Sequence, residues 1–296
     1  MATSTPQAEK IAPIVTSTHP ATAPLRIVVV GAGGTGGRLI PPLMQVLRRG
    51  DSVAVVDADH VEDRNLTRQN FRTRDVGENK ADVMVRRYRR EHIAMDAYAA
   101  MLTAENWREI VPRVGASRYI LMGCVDNWQA RQTMNGINRE VESIWIDGGN
   151  ERRGGQVLVS AHHWPCKVKG MSYHNTMNER TAHYDIRGIN AMPQLLKALQ
   201  WHCDRCDVDN APGSALCTAC HQPEASCRDR IDLQTVAVNQ MSATCMLNAL
   251  SCILYQVPFS ACGSFFSTLN TMSPILMETI RWDYSEILPE QTYVNV

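Results

Sequence analysis

Apolar residues recur in two different patterns along the first half of this chain. Apolar, largely β-branched runs occupy residues 25–30 and 52–56, and they are uninterrupted from Ile27 and from Val53 onward. Apolar residues at helical spacing follow them, over residues 38–47 and 81–92. Uninterrupted runs of this length are typical of strands that are buried on both faces of a parallel sheet. The alternation predicts an α/β fold with a Rossmann-like, mostly parallel sheet.

The second half of the chain adds fewer elements. The same patterns predict strands over 119–122, 143–147 and 156–160, helices over 128–139 and 231–255, a turn at the glycine pairs 148–149 and 154–155, and strands within 259–296. We therefore divide the chain into a flexible tail (1–24), a Rossmann-like α/β domain (25–200), a small cysteine-containing insert (201–220) and a segment that completes the α/β domain (221–296).

Composition narrows the function classes. The 30 basic and 30 acidic residues cancel, so no global charge attracts polyanions, and the basic run at 86–90 is better explained as a solvated helix face than as a nucleic-acid site. The Ala/Thr/Ser/Pro-rich tail has no apolar run of signal-peptide length, and no run of 18 apolar residues predicts a membrane span. Ten cysteines, four of them in close C-x-x-C pairs, favour a metal site over disulfides. We expect a cytoplasmic protein.

A glycine motif joins the first predicted strand to the first predicted helix. Gly31, Gly33 and Gly36 form G-x-G-x-x-G in the strand-turn-helix context in which backbone N–H groups and a helix N-terminus bind phosphate. Asp57 ends the second strand, where a carboxylate accepts hydrogen bonds from ribose hydroxyls. These residues alone are compatible with NAD, FAD or ATP.

The polar loop after the second strand favours a triphosphate. Asn65, Arg68, Gln69 and Lys80 lie in this loop or at its end. A dinucleotide fold does not require cations there, whereas departing pyrophosphate is stabilised by fixed Arg and Lys side chains. Asp126 follows a further strand at the edge of the sheet where α/β folds bind ligands, and its carboxylate suits Mg²⁺. The alternative is that Asp126 or Asn127 caps the following helix.

Two C-x-x-C pairs lie ten residues apart. Cys203, Cys206, Cys217 and Cys220 have the spacing of a tetrahedral Zn²⁺ site. Four cysteine ligands leave no open position for a substrate, so the metal is expected to fold a small insert that has no core of its own.

Five motifs together resemble those of the ThiF/MoeB/E1-like activating enzymes. They are Gly31-x-Gly33-Gly34-x-Gly36, Asp57-x-Asp59-x-Val61, Asn65-Leu66-x-Arg68-Gln69, Val76-Gly77-x-x-Lys80 and Cys124-Val125-Asp126-Asn127. The resemblance implies an enzyme that uses MgATP to adenylate the C-terminal carboxylate of a ubiquitin-like or sulfur-carrier protein. It implies that the nucleotide is bound by Gly31, Gly33, Gly34, Gly36, Asp57, Asn65, Arg68, Gln69, Lys80 and Asp126, with Arg68, Lys80 and Asp126 catalytic.

Two further features bear on this resemblance. The insert is similar to a RanBP2-type zinc finger, but Asp207-Val208 stands where ubiquitin-binding fingers carry Thr-Phe.

Cys227 precedes the long helix, at a place where some relatives carry a thiol that accepts the activated acyl group. It is therefore a fourth candidate catalytic residue. The alternative is that Cys227 is an incidental cysteine. The family likeness also implies a homodimer and a downstream conjugating partner.

Two rival functions use the same residues. A NAD- or FAD-dependent oxidoreductase would use the glycines and Asp57, but it leaves Arg68, Lys80 and the finger without a role. A non-catalytic E1-like scaffold would have no need to keep both cations and Asp126. The sequence therefore favours the adenylating enzyme.

Overall fold

A computed structural model describes residues 14–17, 24–110, 118–141, 143–150, 154–169, 182–187, 201–203, 206, 208–211, 214, 216–221, 236–254, 263–267 and 276–279. For most of the outer strands the description covers the backbone alone.

The described strands are numbered in chain order: β1 Ile14–Ser17, β2 Leu25–Val30, β3 Ser52–Val56, β4 Ala94–Tyr98, β5 Arg118–Gly123, β6 Ser143–Asn150, β7 Gly154–Lys169, β8 Ala182–Arg187, β9 Trp201–Cys203, β10 Val208–Asn210, β11 Gly263–Ser267 and β12 Leu276–Thr279. The helices are α1 Gly36–Val46, α2 Lys80–Tyr88, α3 Trp107–Ile110, α4 Trp128–Glu140 and α5 Val236–Leu254, and 3₁₀ turns cover Asp63–Asn65 and Thr73–Asp75.

A single large sheet organises the fold. Its parallel part has the order β4-β3-β2-β5-β6, and β7, β11 and β12 continue it with antiparallel pairing. From β2, in the middle of the parallel part, the chain builds outward to β4 and then returns to add β5 and β6 on the other side of β2. The strand order reverses between β2 and β5, and the carboxyl ends of strands at such a switch point form the ligand crevice of open α/β sheets. The predicted Rossmann-like fold is confirmed.

The two faces of the sheet bury separate hydrophobic cores. Ile27 and Val29 of β2 point into a cluster with α1, α2 and α5, whereas Val28 and Val30 point into a cluster with α3 and α4. Because five of the six positions of β2 are buried and only Arg26 is partly exposed, the strand contains no alternation of apolar and polar residues. This double burial explains the uninterrupted apolar runs.

Several element bounds differ from the sequence expectation. The predicted strands 25–30 and 52–56 match β2 and β3. The glycines at 148–149 and 154–155, which we expected to form a turn, instead lie within β6 and β7. Gly148, Gly149 and Gly155 pair across these two strands, and Gly154 pairs with Ser267 of β11. The expectation was wrong because Gly148 and Gly149 are needed for packing: a Cβ at 148 would lie 2.6 Å from Met246 Sδ of α5.

Helix α5 is long and apolar enough to cross a membrane by length and composition, alone among the helices that the structure describes. It packs on α1, β6 and β7, and its Val238, Met246 and Leu250 are fully buried. These contacts are those of a core helix.

Candidate active site

The glycine loop after β2 is shaped by close backbone contacts. Gly31 has φ +93°, and a Cβ there would lie 2.6 Å from the carbonyl oxygen of Cys124. A Cβ on Gly36 would lie 1.9 Å from the carbonyl oxygen of Gly31. Both positions therefore require glycine, and together they bring the first turn of α1 to the end of β2. Its N–H groups and the helix dipole favour an anion at this end.

Asp57 connects β3 to the glycine loop. Its Oδ2 accepts a hydrogen bond from Ala32 N–H at 2.7 Å, and its Oδ1 accepts one from Asp59 N–H at 2.8 Å. Burial raises the pKa of the Asp57 carboxyl, although the two N–H groups and Lys80 oppose the shift. Each carboxylate oxygen keeps a second lone pair, so Asp57 still has acceptor capacity for ribose hydroxyls.

The start of α2 places a lysine beside the loop after β3. Asn79 caps α2, because its Oδ1 accepts the N–H groups of Ala81 and Asp82. The same amide donates from Nδ2 to the carbonyl oxygens of Asp57, at 2.9 Å, and Asp59, at 3.1 Å. Lys80, the next residue, is 6% exposed and its Nζ lies 3.1 Å from Asp59 Oδ2. Asn79 therefore fixes Lys80 relative to Asp57.

The 3₁₀ turn Asp63–Asn65 brings Arg68 and Gln69 to the same opening. Asn65 is buried, and its Oδ1 accepts the N–H of Glu62 while its carbonyl oxygen accepts the N–H of Gln69. Gln69 packs its amide against Gly33, and Arg68 lines the opening beside it. Asn65 is not on the lining of the cleft, so the structure gives it the position of a support for Arg68 and Gln69. Its contact with phosphates stays a prediction.

Asp126 follows β5 on the other side of the switch point. The cap of α4 is Asn127, whose Oδ1 accepts the Ala130 N–H at 2.8 Å. Asp126 is exposed and lines the cleft, so it is not used as the helix cap. Arg131 donates from Nη2 to the Val125 carbonyl at 2.8 Å and from Nε to Asp147 at 3.0 Å, which ties the Asp126 loop to the end of β6.

These parts surround one open cleft of about 480 Å³. One side is apolar, with Val56, Leu102 and Val125, and the other carries amides from β6, β7 and α5. The described residues that line it are Val30, Gly31, Gly33, Gly34, Thr35, Val56, Asp57, Ala58, Asp59, Arg68, Gln69, Lys80, Ala100, Met101, Leu102, Cys124, Val125, Asp126, Asn127, Ala130, Arg131, Gly148, Gly149, Asn150, Gln156 and Asn239. The structure thus brings together eight of the ten predicted nucleotide-binding residues; Gly36 lies behind the loop and Asn65 beneath it.

The chain was compared with models of known protein families. The family model described as "ThiF family" matches residues 13–281. The chain belongs to the ThiF family.

Solved structures show the same fold. PaaA superposes on this ThiF-family chain with a TM-score of 0.51 and 17% identity, over 88% of this chain and 64% of PaaA. E. coli MccB with succinimide gives a TM-score of 0.51 and 18% identity, over 88% of this chain and 63% of MccB. MccB in complex with N-formylated MccA gives a TM-score of 0.51 and 17% identity, over 88% of this chain and 65% of MccB. The chain therefore spans less than two thirds of the length of these neighbours.

The cysteine insert is partly described. The Sγ atoms of Cys206, Cys217 and Cys220 all lie within 4.8 Å of one another, and those of Cys206 and Cys217 are 3.3 Å apart. A tetrahedral Zn²⁺ with bonds of about 2.3 Å places its sulfurs about 3.8 Å apart, so the three thiols fit such a metal. Cys203 lies on β9, which pairs with β10, but its side chain is outside the description.

Two cysteines bear on the question of a nucleophile. Cys227 lies outside the described residues, so its role stays a prediction. Cys124 lines the cleft, but burial and the nearby Asp147 raise the pKa of its thiol far above neutral. Cys124 is therefore a protonated thiol and a poor nucleophile at neutral pH.

Sequence reasoning missed four residues at the site. Asn79 and Arg131 act through neighbours, and Asn150 and Asn239 line the cleft. Asn79 directly precedes the helix that begins at Lys80, so the N-cap preference was a usable signal. Asn239 lies in a segment that we expected to be apolar core, and nothing in its local pattern distinguishes it.

Proposed function

We propose that this protein is an ATP-dependent adenylating enzyme that activates the C-terminal carboxylate of a peptide or a small carrier protein. The observation that carries the proposal is the arrangement of one cleft. A glycine loop with a helix N-terminus, the cations Arg68 and Lys80, and the exposed carboxylate of Asp126 all line it at the switch point of the sheet. A nicotinamide or flavin site has no use for the two cations or for Asp126.

The lining residues suggest how ATP is held. The apolar wall of Val56, Leu102 and Val125 suits the adenine ring, and Asp57 suits the ribose. The glycine loop binds the α-phosphate, and Arg68 and Lys80 bind the departing pyrophosphate. Among the described residues that line the cleft, Arg68 and Lys80 follow β3, whereas the third cation, Arg131, is already hydrogen-bonded to Asp147 and to the Val125 carbonyl.

The reaction requires little covalent participation by the protein. An oxygen of the carboxylate, already ionised at neutral pH, forms a bond to the α-phosphorus. The bond from that phosphorus to the bridging oxygen breaks, and its electron pair leaves on pyrophosphate. Catalysis then consists of alignment and of charge stabilisation by Arg68 and Lys80.

Asp126 fits a magnesium ion. It is an exposed carboxylate on a loop whose position Arg131 fixes, and Mg²⁺ takes one or two protein carboxylates together with phosphate oxygens and water. When bound, the metal neutralises charge on the phosphates. The fit of the donor set is the support for this assignment.

Two neighbours support a peptide-like substrate. MccB structures with a TM-score of 0.50 or more include complexes with MccA and the ATP analogue AMPCPP, and with N-formylated MccA. Family membership and this fold favour a site for the acyl substrate beside the nucleotide. A ubiquitin-like or sulfur-carrier protein is the substrate class that we propose, and transfer to Cys227 is a later step that adenylation does not require.

The cysteine insert is proposed to hold a structural Zn²⁺. Three thiols lie at separations that fit a tetrahedral Zn²⁺. Cys203 is the proposed fourth ligand, because it forms a C-x-x-C pair with Cys206 in the sequence. The strands β9 and β10 contain three residues each, and the buried cluster that the structure describes in the insert consists of Cys206, Val208, Cys217 and Cys220. An insert this small gains its stability from a bound metal.

ATP–pyrophosphate exchange tests the proposed function. We expect exchange that depends on a candidate peptide or carrier protein with a free C-terminal carboxylate, and loss of exchange in Arg68→Ala. Cys227→Ala should retain exchange, because the thiol acts after the adenylate forms. Tight binding of a nicotinamide or flavin by the purified protein, with no exchange for any candidate, would sink the proposal.

A further inference from the structure

The N-terminal part of α5 presents an amide to the cleft. Asn239 is 1% exposed and lines the cleft. Its Oδ1 accepts a hydrogen bond from Asn150 Nδ2 at 2.8 Å, and the same Nδ2 donates to Thr35 Oγ1 at 2.6 Å. The Nδ2 of Asn239 has no hydrogen-bond partner among the residues that the structure describes. One polar chain thus leads from the start of α1 to an amide donor in the cleft wall.

The position of this donor is fixed by the glycine loop. A Cβ on Gly34 would lie 2.6 Å from Asn239 Nδ2. Gly34 is not one of the three glycines of G-x-G-x-x-G, although it belongs to the longer motif Gly31-x-Gly33-Gly34-x-Gly36. Its lack of a side chain also leaves space for Asn239, because any side chain at position 34 would meet the amide. The sequence therefore keeps room for Asn239 directly beside the phosphate-binding loop.

Charge divides the cleft into two sides. The lining residues that β6, β7 and α5 contribute are all uncharged: Gly148, Gly149, Asn150, Gln156 and Asn239. Those of the segment 57–80 include the charged residues Asp57, Asp59, Arg68 and Lys80. The two sides are separated by β2 and β5, so their strands β3 and β6 lie about 14 Å apart at the usual strand spacing.

This separation assigns a role to the uncharged side. In a displacement at phosphorus the attacking and the leaving oxygens lie roughly in line, on opposite sides of the phosphorus. If pyrophosphate leaves toward Arg68 and Lys80, the nucleophile arrives from the side of β6 and α5. A neutral amide can orient a carboxylate there without the strong ground-state attraction of a cation. Arg131, the lining cation beside Gly149, is already hydrogen-bonded to Asp147 and to the Val125 carbonyl.

We propose that Asn239 is a catalytic residue whose Nδ2–H donates a hydrogen bond to the C-terminal carboxylate of the acyl substrate. The bond directs one carboxylate oxygen to the α-phosphorus above the glycine loop. That oxygen forms the new P–O bond, pyrophosphate leaves with the electron pair of the broken bond, and no proton is transferred. The assignment rests on the proposed adenylation and names the residue that holds its second substrate.

Binding of peptides without turnover tests the proposal. The probes are fluorescein-labelled hexapeptides that end in Gly-Gly, with either a free carboxylate or a C-terminal amide, measured by anisotropy with AMPCPP and Mg²⁺ present. The wild type should prefer the carboxylate form. Asn239→Ala should weaken binding of that form about tenfold or more, since a hydrogen bond to a charged group is lost, and should leave the amide form unchanged.

Two further variants test whether the effect of Asn239→Ala comes only from the loss of side-chain size or from the loss of any buried amide. Asn239→Asp keeps the size of the side chain but turns a carboxylate toward the substrate, so it should also abolish the preference. Asn138→Ala removes another buried amide whose Nδ2 has no partner among the described residues and which does not line the cleft. It should cost stability and keep the preference. Fluorescent ATP should bind Asn239→Ala and Asn138→Ala as tightly as the wild type.

Specific outcomes overturn the assignment. A wild type that does not distinguish carboxylate from amide, or an Asn239→Ala variant that still does, contradicts it. A loss of ATP affinity in Asn239→Ala with the carboxylate preference intact shows that the amide serves a phosphate instead. Because these measurements need no turnover, they can succeed while pyrophosphate exchange fails, which separates this inference from the proposed function.

Discussion

Arg131 joins Asp147 to the loop that carries Asp126. Its Nε lies 3.0 Å from Asp147 Oδ2, and its Nη2 lies 2.8 Å from the carbonyl oxygen of Val125. Asp147 is 1% exposed, and burial raises the pKa of its carboxyl while Arg131 opposes the shift. The buried pair therefore holds the ends of β5 and β6 together at the floor of the cleft.

Arg131→Met should destabilise the protein at neutral pH by about 3–5 kcal/mol, because it leaves a buried carboxylate without its partner. The pKa of Asp147 should rise further in the variant. Since ionisation of this group costs stability above its folded pKa, the deficit should shrink as the pH falls through that pKa toward the ordinary value of 3.8. Urea denaturation at pH 7 and pH 5 measures the difference.

A double variant separates stability from positioning in the same pair. Arg131→Met with Asp147→Leu replaces both charges by apolar side chains and should recover most of the stability. It should not recover pyrophosphate exchange, because the Val125 carbonyl has lost its donor. A double variant with full exchange would show that the pair does not position the Asp126 loop.

Asp126 and its neighbour Asn127 should have separable effects. Asp126→Asn should raise the Mg²⁺ concentration needed for half-maximal exchange at least tenfold and leave the unfolding free energy within about 0.5 kcal/mol, as for an exposed residue. Asn127→Ala removes the α4 cap and should cost about 1 kcal/mol, with a smaller effect on the metal requirement. The reverse pattern would assign the metal to Asn127.

Lys80 should be required for turnover. Lys80→Met removes a cation that lines the cleft and should lower the exchange rate about 10²- to 10³-fold. Lys80→Arg should not restore the rate, because a larger planar group replaces a point charge at a site that is 6% exposed. Arg86→Met is the matched control on the same helix: Arg86 is exposed and pairs with Glu78, so exchange should be unchanged.

The cysteine cluster should hold one metal ion per chain. Cys217→Ser should lose most of the zinc that elemental analysis finds in the wild type, because Cys217 is the buried member of the three. Cys252→Ala, which alters a half-buried cysteine of α5 outside the cluster, should keep it. Wild-type protein without zinc after expression in zinc-supplemented medium would contradict the site.

The parts of the site that the sequence predicted share a local signal. Gly31, Gly33 and Gly36 lie where one strand turns into one helix, and Asp57 lies at the end of the next strand, so the short-range pattern determines their positions. Arg68 and Lys80 were expected in or at the end of the polar loop after that strand, and both line the cleft. Local pattern was sufficient because each of these residues is placed by the element next to it.

The remaining parts depend on contacts between distant segments. Gly148 and Gly149 look like turn residues, and only the packing of α5 and Gln156 explains why they lie in a strand. Asn239 is separated by 89 residues from its partner Asn150. The sequence contains no pattern that joins such residues, so the amide side of the cleft could not be predicted.

An isotope-transfer measurement tests the central claim most directly. The substrate peptide is prepared with ¹⁸O in its C-terminal carboxylate and incubated with ATP, Mg²⁺, the enzyme and hydroxylamine, which traps an activated acyl group. Adenylation predicts that AMP carries one ¹⁸O atom, because a carboxylate oxygen becomes bonded to the α-phosphorus. Unlabelled AMP, or ADP with labelled phosphate, would contradict the account.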